Sequence, residues 1–183
     1  VGLYSPRPIR RAILCGGRAY TAALSKVDGQ MVSPMQRRVP QLCGLAEPYS
    51  VTMDFGPLDV RKPLVLALTG WLRFGGGMGN IAASHNPHLP FPFPMLEAET
   101  SDGQWQPVAV EVGAPSGKTK TILVDLAGKL PAGTKRLRLG TAFEIHWDAA
   151  VIYDRVAAPN IRMTEIAAKK ADLHWRGFSD YED

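Results

Sequence analysis

The chain has 183 residues, 45% of them hydrophobic and 21% charged, which fits one ordinary globular domain with its own core and argues against wholesale disorder. A formal charge of +4 favours acidic neighbours without by itself implying nucleic acid, and no apolar run is long enough to span a membrane. Glycines and prolines, 18 and 15 in number, are spread along the whole chain, the pattern that many short strands require.

The opening Val1-Gly2-Leu3-Tyr4 has neither the charged nor the apolar region of a signal peptide, and the expectation is a processed chain or part of a longer one. Residues 1–20 read as an extended N-terminal arm and residues 21–183 as the domain. The first stretch carries Pro6, Pro8, Arg7, Arg10 and Arg11 without strand alternation. Prolines stiffen an extended segment and arginines fork onto carboxylates or phosphates. Arg7, Arg10 and Arg11 are therefore expected partner contacts. The two cysteines, Cys15 and Cys43, show no redox or zinc spacing. They fit one disulfide tying the arm to the next strand, or two unbridged thiols.

Period-two alternation dominates the rest of the chain. Val27-Asp28-Gly29-Gln30 carries a two-residue hairpin signal. Tyr49, Val51, Met53 and Phe55 alternate with polar neighbours, while residues 64–71 are apolar almost throughout and predict a central strand covered on both faces. Residues 75–94 break the pattern with a glycine run and four closely spaced prolines, and predict a long exposed loop, a common seat of function. Within it Phe91 and Phe93 alternate with prolines, which suits them to anchor in a partner's pocket. Ser101-Asp102-Gly103-Gln104 predicts a hairpin joining 95–100 to 105–110. Further strands are expected at 121–126, 135–139 and 142–147. The one weak helix signal lies at residues 164–170.

Motifs with chemical meaning are scarce. Gly113-Ala114-Pro115-Ser116-Gly117-Lys118-Thr119 has one residue too few between its glycines for a phosphate loop, and a strand pattern follows where a helix is needed. His85 and His88 flank Pro87, which excludes regular helix between them, and no further ligand is close in sequence. His146 and His174 fall on polar sides of alternating segments and are expected at the surface. Glu97 and Glu99 share a strand face, as do Arg136 and Arg138; solvated decoration is the simplest account of both pairs. Lys118, Lys120, Lys129 and Lys135 extend a basic stretch, but no aromatic residues interleave with it, so nucleic acid is not an expected partner. Of the four tryptophans, Trp147 shares the core side with Phe143 and Ile145. Others on sandwich faces would be able to stack sugars. No catalytic residue, cofactor site or metal site is expected.

Residues 41–48 (QLCGLAEP), 66–71 (LALTGW), 96–108 (LEAETSDGQWQPV), 113–128 (GAPSGKTKTILVDLAG), 130–148 (LPAGTKRLRLGTAFEIHWD) and 172–178 (DLHWRGF) follow one another in an order that resembles the C-terminal region of large bacterial proteins carrying FG-GAP-type propeller repeats, ASPIC/UnbV-like segments or tetratricopeptide repeats. The resemblance covers roughly residues 40–180 and carries no functional residue over. It implies a β-sandwich in an extracytoplasmic setting, periplasmic or secreted, attached to modules that mediate protein contacts. The hairpin at residues 96–108 is also similar to one in galactose-binding-like jelly rolls. The chain departs from the resemblance in having no propeller or helical repeat. The resulting expectation is an all-β antiparallel sandwich with an extended arm, in form a galactose-binding-like jelly roll, serving as a non-catalytic structural or protein-interaction module, an accessory subunit or fragment of a larger assembly. Association of that assembly with a membrane is compatible with it. The alternative is a carbohydrate-binding module.

Overall fold

The computed structural model describes residues 2–34, 36–41, 43–88, 92–157, 162, 164–175 and 177. It is 42% strand and 6% helix, and all its strand pairs are antiparallel. The strands are β1 (Gly2–Pro8), β2 (Arg11–Leu14), β3 (Leu45–Asp54), β4 (Leu64–Leu72), β5 (Met95–Glu99), β6 (Trp105–Pro107), β7 (Lys120–Asp125), β8 (Arg136–Phe143) and β9 (Ile145–Val156). They form a four-stranded sheet in the order β1-β9-β4-β7 and a five-stranded sheet in the order β2-β3-β8-β5-β6. The helices are α1 (Thr21–Leu24) and α2 (Gly76–Ser84).

The alternation read from the sequence decides which faces meet. Val51 and Met53 of β3, Leu96 and Ala98 of β5, and Leu137 and Leu139 of β8 are all at most 2% exposed. They face Leu64, Leu66 and Leu68 of β4 and Ile145, Trp147, Ala150 and Ile152 of β9 in one core cluster. Each such Leu or Ile contributes about 1.5–3 kcal/mol by leaving water. On the outer face of the five-stranded sheet, Glu97 opposes Arg138 and pairs with it at 2.6 Å. Arg136 pairs with Glu99. Trp105 lies under the Arg138 guanidinium, 4.5 Å from ring centre to Cζ. The basic stretch is therefore neutralised where it lies on this sheet.

The N-terminal segment departs from the expected arm. Residues 2–8 are extended but paired with β9, and β2 pairs with β3 in the opposite sheet. Ile9, Ala12 and Leu14 are core residues. A bulge between Tyr4 and Arg7, with Ser5 at φ 52°, resets the side-chain parity. That reset hides the strand from a period-two reading, and the edge position tolerates Pro6 and Pro8.

Three local expectations are also corrected. The Val27–Gln30 signal does not make a hairpin. Ser25 and Val32 both bridge to β9, at Ala149 and Trp147, and the turn between them is held by the Asp148 carboxylate, which accepts from the amides of Asp28 (3.3 Å) and Gly29 (3.0 Å). Asp148 is free to do so because it is the unpaired residue where the β4–β9 register shifts. The long loop contains α2, a helix without a side-chain cap, whose glycine-rich start masked it. Residues 164–170 are exposed and carry no helix.

Candidate functional site

β8 and β9 lie in different sheets, and Glu144 is the single residue between them. Its side chain is only 6% exposed. Burying a carboxylate is costly unless charge and hydrogen bonds compensate, and three chain segments converge to do so. The Gly44 amide donates to Oε2 at 2.8 Å, and Arg37 Nε donates to both oxygens at 3.2 and 3.3 Å. Arg73 Nε stands 3.9 Å from Oε1. The Glu144 backbone donates to the Gly44 carbonyl and accepts from the Arg73 amide, each at 2.9 Å. Gly44 has φ 90°, and a Cβ there would sit 2.5 Å from Gly75 Cα. Glycine is required on both counts, and its close approach brings the start of α2 against this corner.

His146 completes the cluster. Its ring is 5.1 Å from that of Trp71, and Nδ1 is 2.7 Å from Ser33 Oγ. Burial is the main influence on its pKa and lowers it below the ordinary histidine value; Glu144 opposes and Arg73 and Arg37 reinforce the shift. His146 is consequently neutral at pH 7. Nε2 is buried without a hydrogen-bond partner among the described residues and lies 3.9 Å from Glu144 Oε1. The Glu144 oxygens are committed to Arg37 and Gly44. That leaves the imidazole without the hydrogen-bonded carboxylate that a serine–histidine–acid relay uses. A cavity of about 440 Å³ opens beside this cluster, lined by Pro34, Gln36, Arg37, Pro40, Glu144 and His146. Two prolines stiffen its wall, and its floor offers both a cation and a carboxylate.

The same end of the sandwich carries an apolar surface. Phe74 (72% exposed), Ile81 (52%), Phe93 (67%) and Met95 (59%) all belong to the segment that contains α2 and the start of β5. Pro92 accepts from the Ala142 amide and the Thr141 hydroxyl, so this segment leads into β5 alongside the end of β8, where Ala142 is fully buried. Phe93 lies edge-on to Phe143 at 5.0 Å while keeping most of its surface in solvent. The segment thus buries Pro94 and presents apolar side chains outward. Arg38 ties it to the opposite loop by donating to the His88 carbonyl at 2.8 Å.

The residues singled out from sequence are scattered. Arg7 turns inward to pair with Asp154 instead of facing a partner. Arg10 and Arg11 are exposed; Arg10 lies so close over Gly56 that a Cβ there would meet its guanidinium at 2.5 Å. Phe93 belongs to the apolar end, and Phe91 lies outside the described residues. Cys15 and Cys43 are free thiols. Cys15 stands beside Ser50, to which its amide donates, whereas Cys43 precedes Leu45 at the other end of β3. The strand between them spans roughly 16 Å, against the 4–7 Å between Cα atoms that a disulfide needs. His146, expected at the surface, is half-buried, with Ser33 bonded to its ring and Pro34, Gln36 and Arg37 beside it. Glu144, Arg37, Arg73 and Ser33 were not marked by any motif. Groups of three or more potential metal ligands are absent among the described residues, as is any helix long and apolar enough to cross a membrane. No protein-family model matches the chain, and no curated protein matches it significantly.

Proposed function

We propose that this chain is a non-catalytic protein-interaction module of a larger extracytoplasmic assembly, and that it binds its partner through the Glu144 end of the sandwich. The observation that carries this reading is the grouping of Phe74, Ile81, Phe93 and Met95, each more than half exposed, in one segment. Monomeric surfaces seldom concentrate large apolar side chains in this way, and such groupings mark contact sites. The adjoining cavity adds polar groups of both signs, the arrangement expected at the rim of an interface. The resemblance to C-terminal regions of repeat-bearing bacterial proteins, and the galactose-binding-like jelly-roll form that goes with it, belong to this reading. Carbohydrate binding has less support, since Arg138 covers the face of Trp105 and Trp71 packs against His146.

The test places a photo-crosslinking residue at position 74 or 81 in the full chain, with position 101, at the tip of the β5–β6 hairpin, as the distant control. Partner adducts are expected from 74 and 81 and not from 101. The pair Phe74→Ser and Ile81→Ser is expected to abolish association without lowering the melting temperature. Adducts from 101 alone, or a large loss of stability in the double variant, would overturn the assignment.

A further inference from the structure

The open edges of the two sheets are not equally protected. β1 carries two prolines and a bulge. β2 is covered by the returning chain, with the Tyr20 amide donating to the Ala12 carbonyl and the Leu14 amide to the Arg18 carbonyl. β6 has three residues and ends in Pro107. These are the usual protections against unwanted pairing. β7 has none of them across residues 121–125. It is six residues long with the sequence Lys-Thr-Ile-Leu-Val-Asp, it has no proline or register shift, and among the described residues its only ladder partner is β4. Lys120 guards only its first position.

The hydrogen-bond directions identify what the open edge presents. The Leu126 amide donates to the Leu64 carbonyl at 2.9 Å, in register with the Val65–Asp125 pair. Main-chain groups alternate in direction along an antiparallel strand. Ile122 and Val124 therefore turn theirs toward β4, and Thr121, Leu123 and Asp125 turn theirs outward. The outward set is also the set whose side chains lie on the outer face of the sheet. Leu123, 57% exposed, is its centre.

We propose that β7 pairs antiparallel with β7 of a second copy of this chain about a two-fold axis at Leu123, joining the two four-stranded sheets into one. The register follows from self-complementarity. With Leu123 opposite Leu123, Thr121, whose hydroxyl is paired with that of Thr69 at 2.7 Å, falls opposite the second copy's Asp125, whose carboxylate is paired with Arg155, so no like charges meet on either side of the axis. All three outward residues then form hydrogen-bonded pairs, about six main-chain bonds in all. Core-facing residues remain opposite core-facing residues, Ile122 against Val124. Shifting the axis by one residue to Ile122 sets Thr121 against Leu123 and leaves fewer outward groups paired. A second copy supplies this match without any further assumption about a partner's sequence, and a two-fold contact closes on itself and does not propagate. The surface joined is small, so the dimer is expected to be a weak, concentration-dependent one.

Sedimentation equilibrium of the full chain is expected to show mass rising from monomer to dimer with concentration, and Leu123→Lys, which places two cations on the axis, is expected to hold it monomeric with an unchanged melting temperature. Register is read by disulfide trapping in a Cys15→Ser, Cys43→Ser background. Leu123→Cys is expected to give a covalent dimer on mild oxidation. Thr121→Cys alone is expected to give no covalent dimer, but to cross-link when mixed with Asp125→Cys. A chain that remains monomeric at every concentration, or a dimer that survives Leu123→Lys and is not trapped by Leu123→Cys, would overturn the proposal.

Discussion

Glu144 shows how one residue can hold a fold and shape a surface together. It stands where the chain leaves one sheet for the other, and its carboxylate gathers Arg37 and Gly44 around that corner. Nothing in the local pattern marks it. Phe143, Ile145 and Trp147 keep the same parity as Leu137 and Leu139, so a period-two reading places Glu144 on the solvent side, where a charge is unremarkable. Its burial comes from residues a hundred or more positions away, Gly44 and Arg37. His146 inherits the consequence. Its pKa is held below 6.5 chiefly by burial, so the unfolded chain binds more protons than the folded one as pH falls through that value. The stability associated with the neutral imidazole is complete above 6.5 and is lost progressively below it, until the lowered folded-state value is passed. Thermal melts from neutral pH to about pH 5 should show the melting temperature falling in this window for the wild type. The His146→Gln variant should lack that step. An identical pH profile in both proteins would contradict this account of the imidazole.

At the scale of elements, the strands that read clearly are those with a stretch of clean alternation or, in β4, a continuous apolar run. β3, β4, β5, β7 and β8 fall in this class. β1 is hidden by its bulge and prolines, and α2 by its glycine run, in which Gly75 packs closely on the Cys43 carbonyl while Gly76 and Gly77 face open space. β1 is secured at its Arg7 end by charge. Asp154 accepts from Arg7 and from Lys62, the latter at 2.8 Å. The Lys62 hydrogen bond is the largest influence holding the Asp154 carboxyl below its ordinary value of 3.8; Arg7 adds to it and burial opposes it. The stabilisation is therefore full above that ordinary value and fades as pH falls through the lowered one. Asp154→Asn removes the charge and leaves the half-buried Arg7 cation without its partner, at an expected cost of about 1–3 kcal/mol. The loosening should be local. Hydrogen exchange is expected to rise in β1 and in the facing half of β9, while β3 and β8 keep their protection. Uniform loss of protection across both sheets would show that β1 does not unfold as a separate unit.

At the scale of the whole molecule, the first twenty residues distinguish an arm from a structural part. An arm can be removed without touching the sandwich. Here the same stretch supplies an edge strand to each sheet, pairing with β9 on one side and β3 on the other. It crosses from one sheet to the other through Ile9 and Arg10, and places Ile9, Ala12 and Leu14 in the shared core at 5%, 0% and 0% exposure. Losing Ile9 and Leu14 alone removes about 3–6 kcal/mol of burial, before the ladder bonds of β1 and β2 are counted. That is a large part of the 5–15 kcal/mol by which a domain of this kind is stable. Deletion also uncovers one edge of β9 and one of β3, both long and rich in apolar residues, and such edges promote association. A chain beginning at residue 21 is therefore expected to lose cooperative thermal unfolding and to aggregate, whereas Arg10→Ser with Arg11→Ser, both exposed, should melt close to the wild type. Circular dichroism melts of the three proteins decide the matter. A shortened chain that still unfolds in one sharp transition near the wild-type temperature would restore the arm and remove the N-terminal strands from the account of stability.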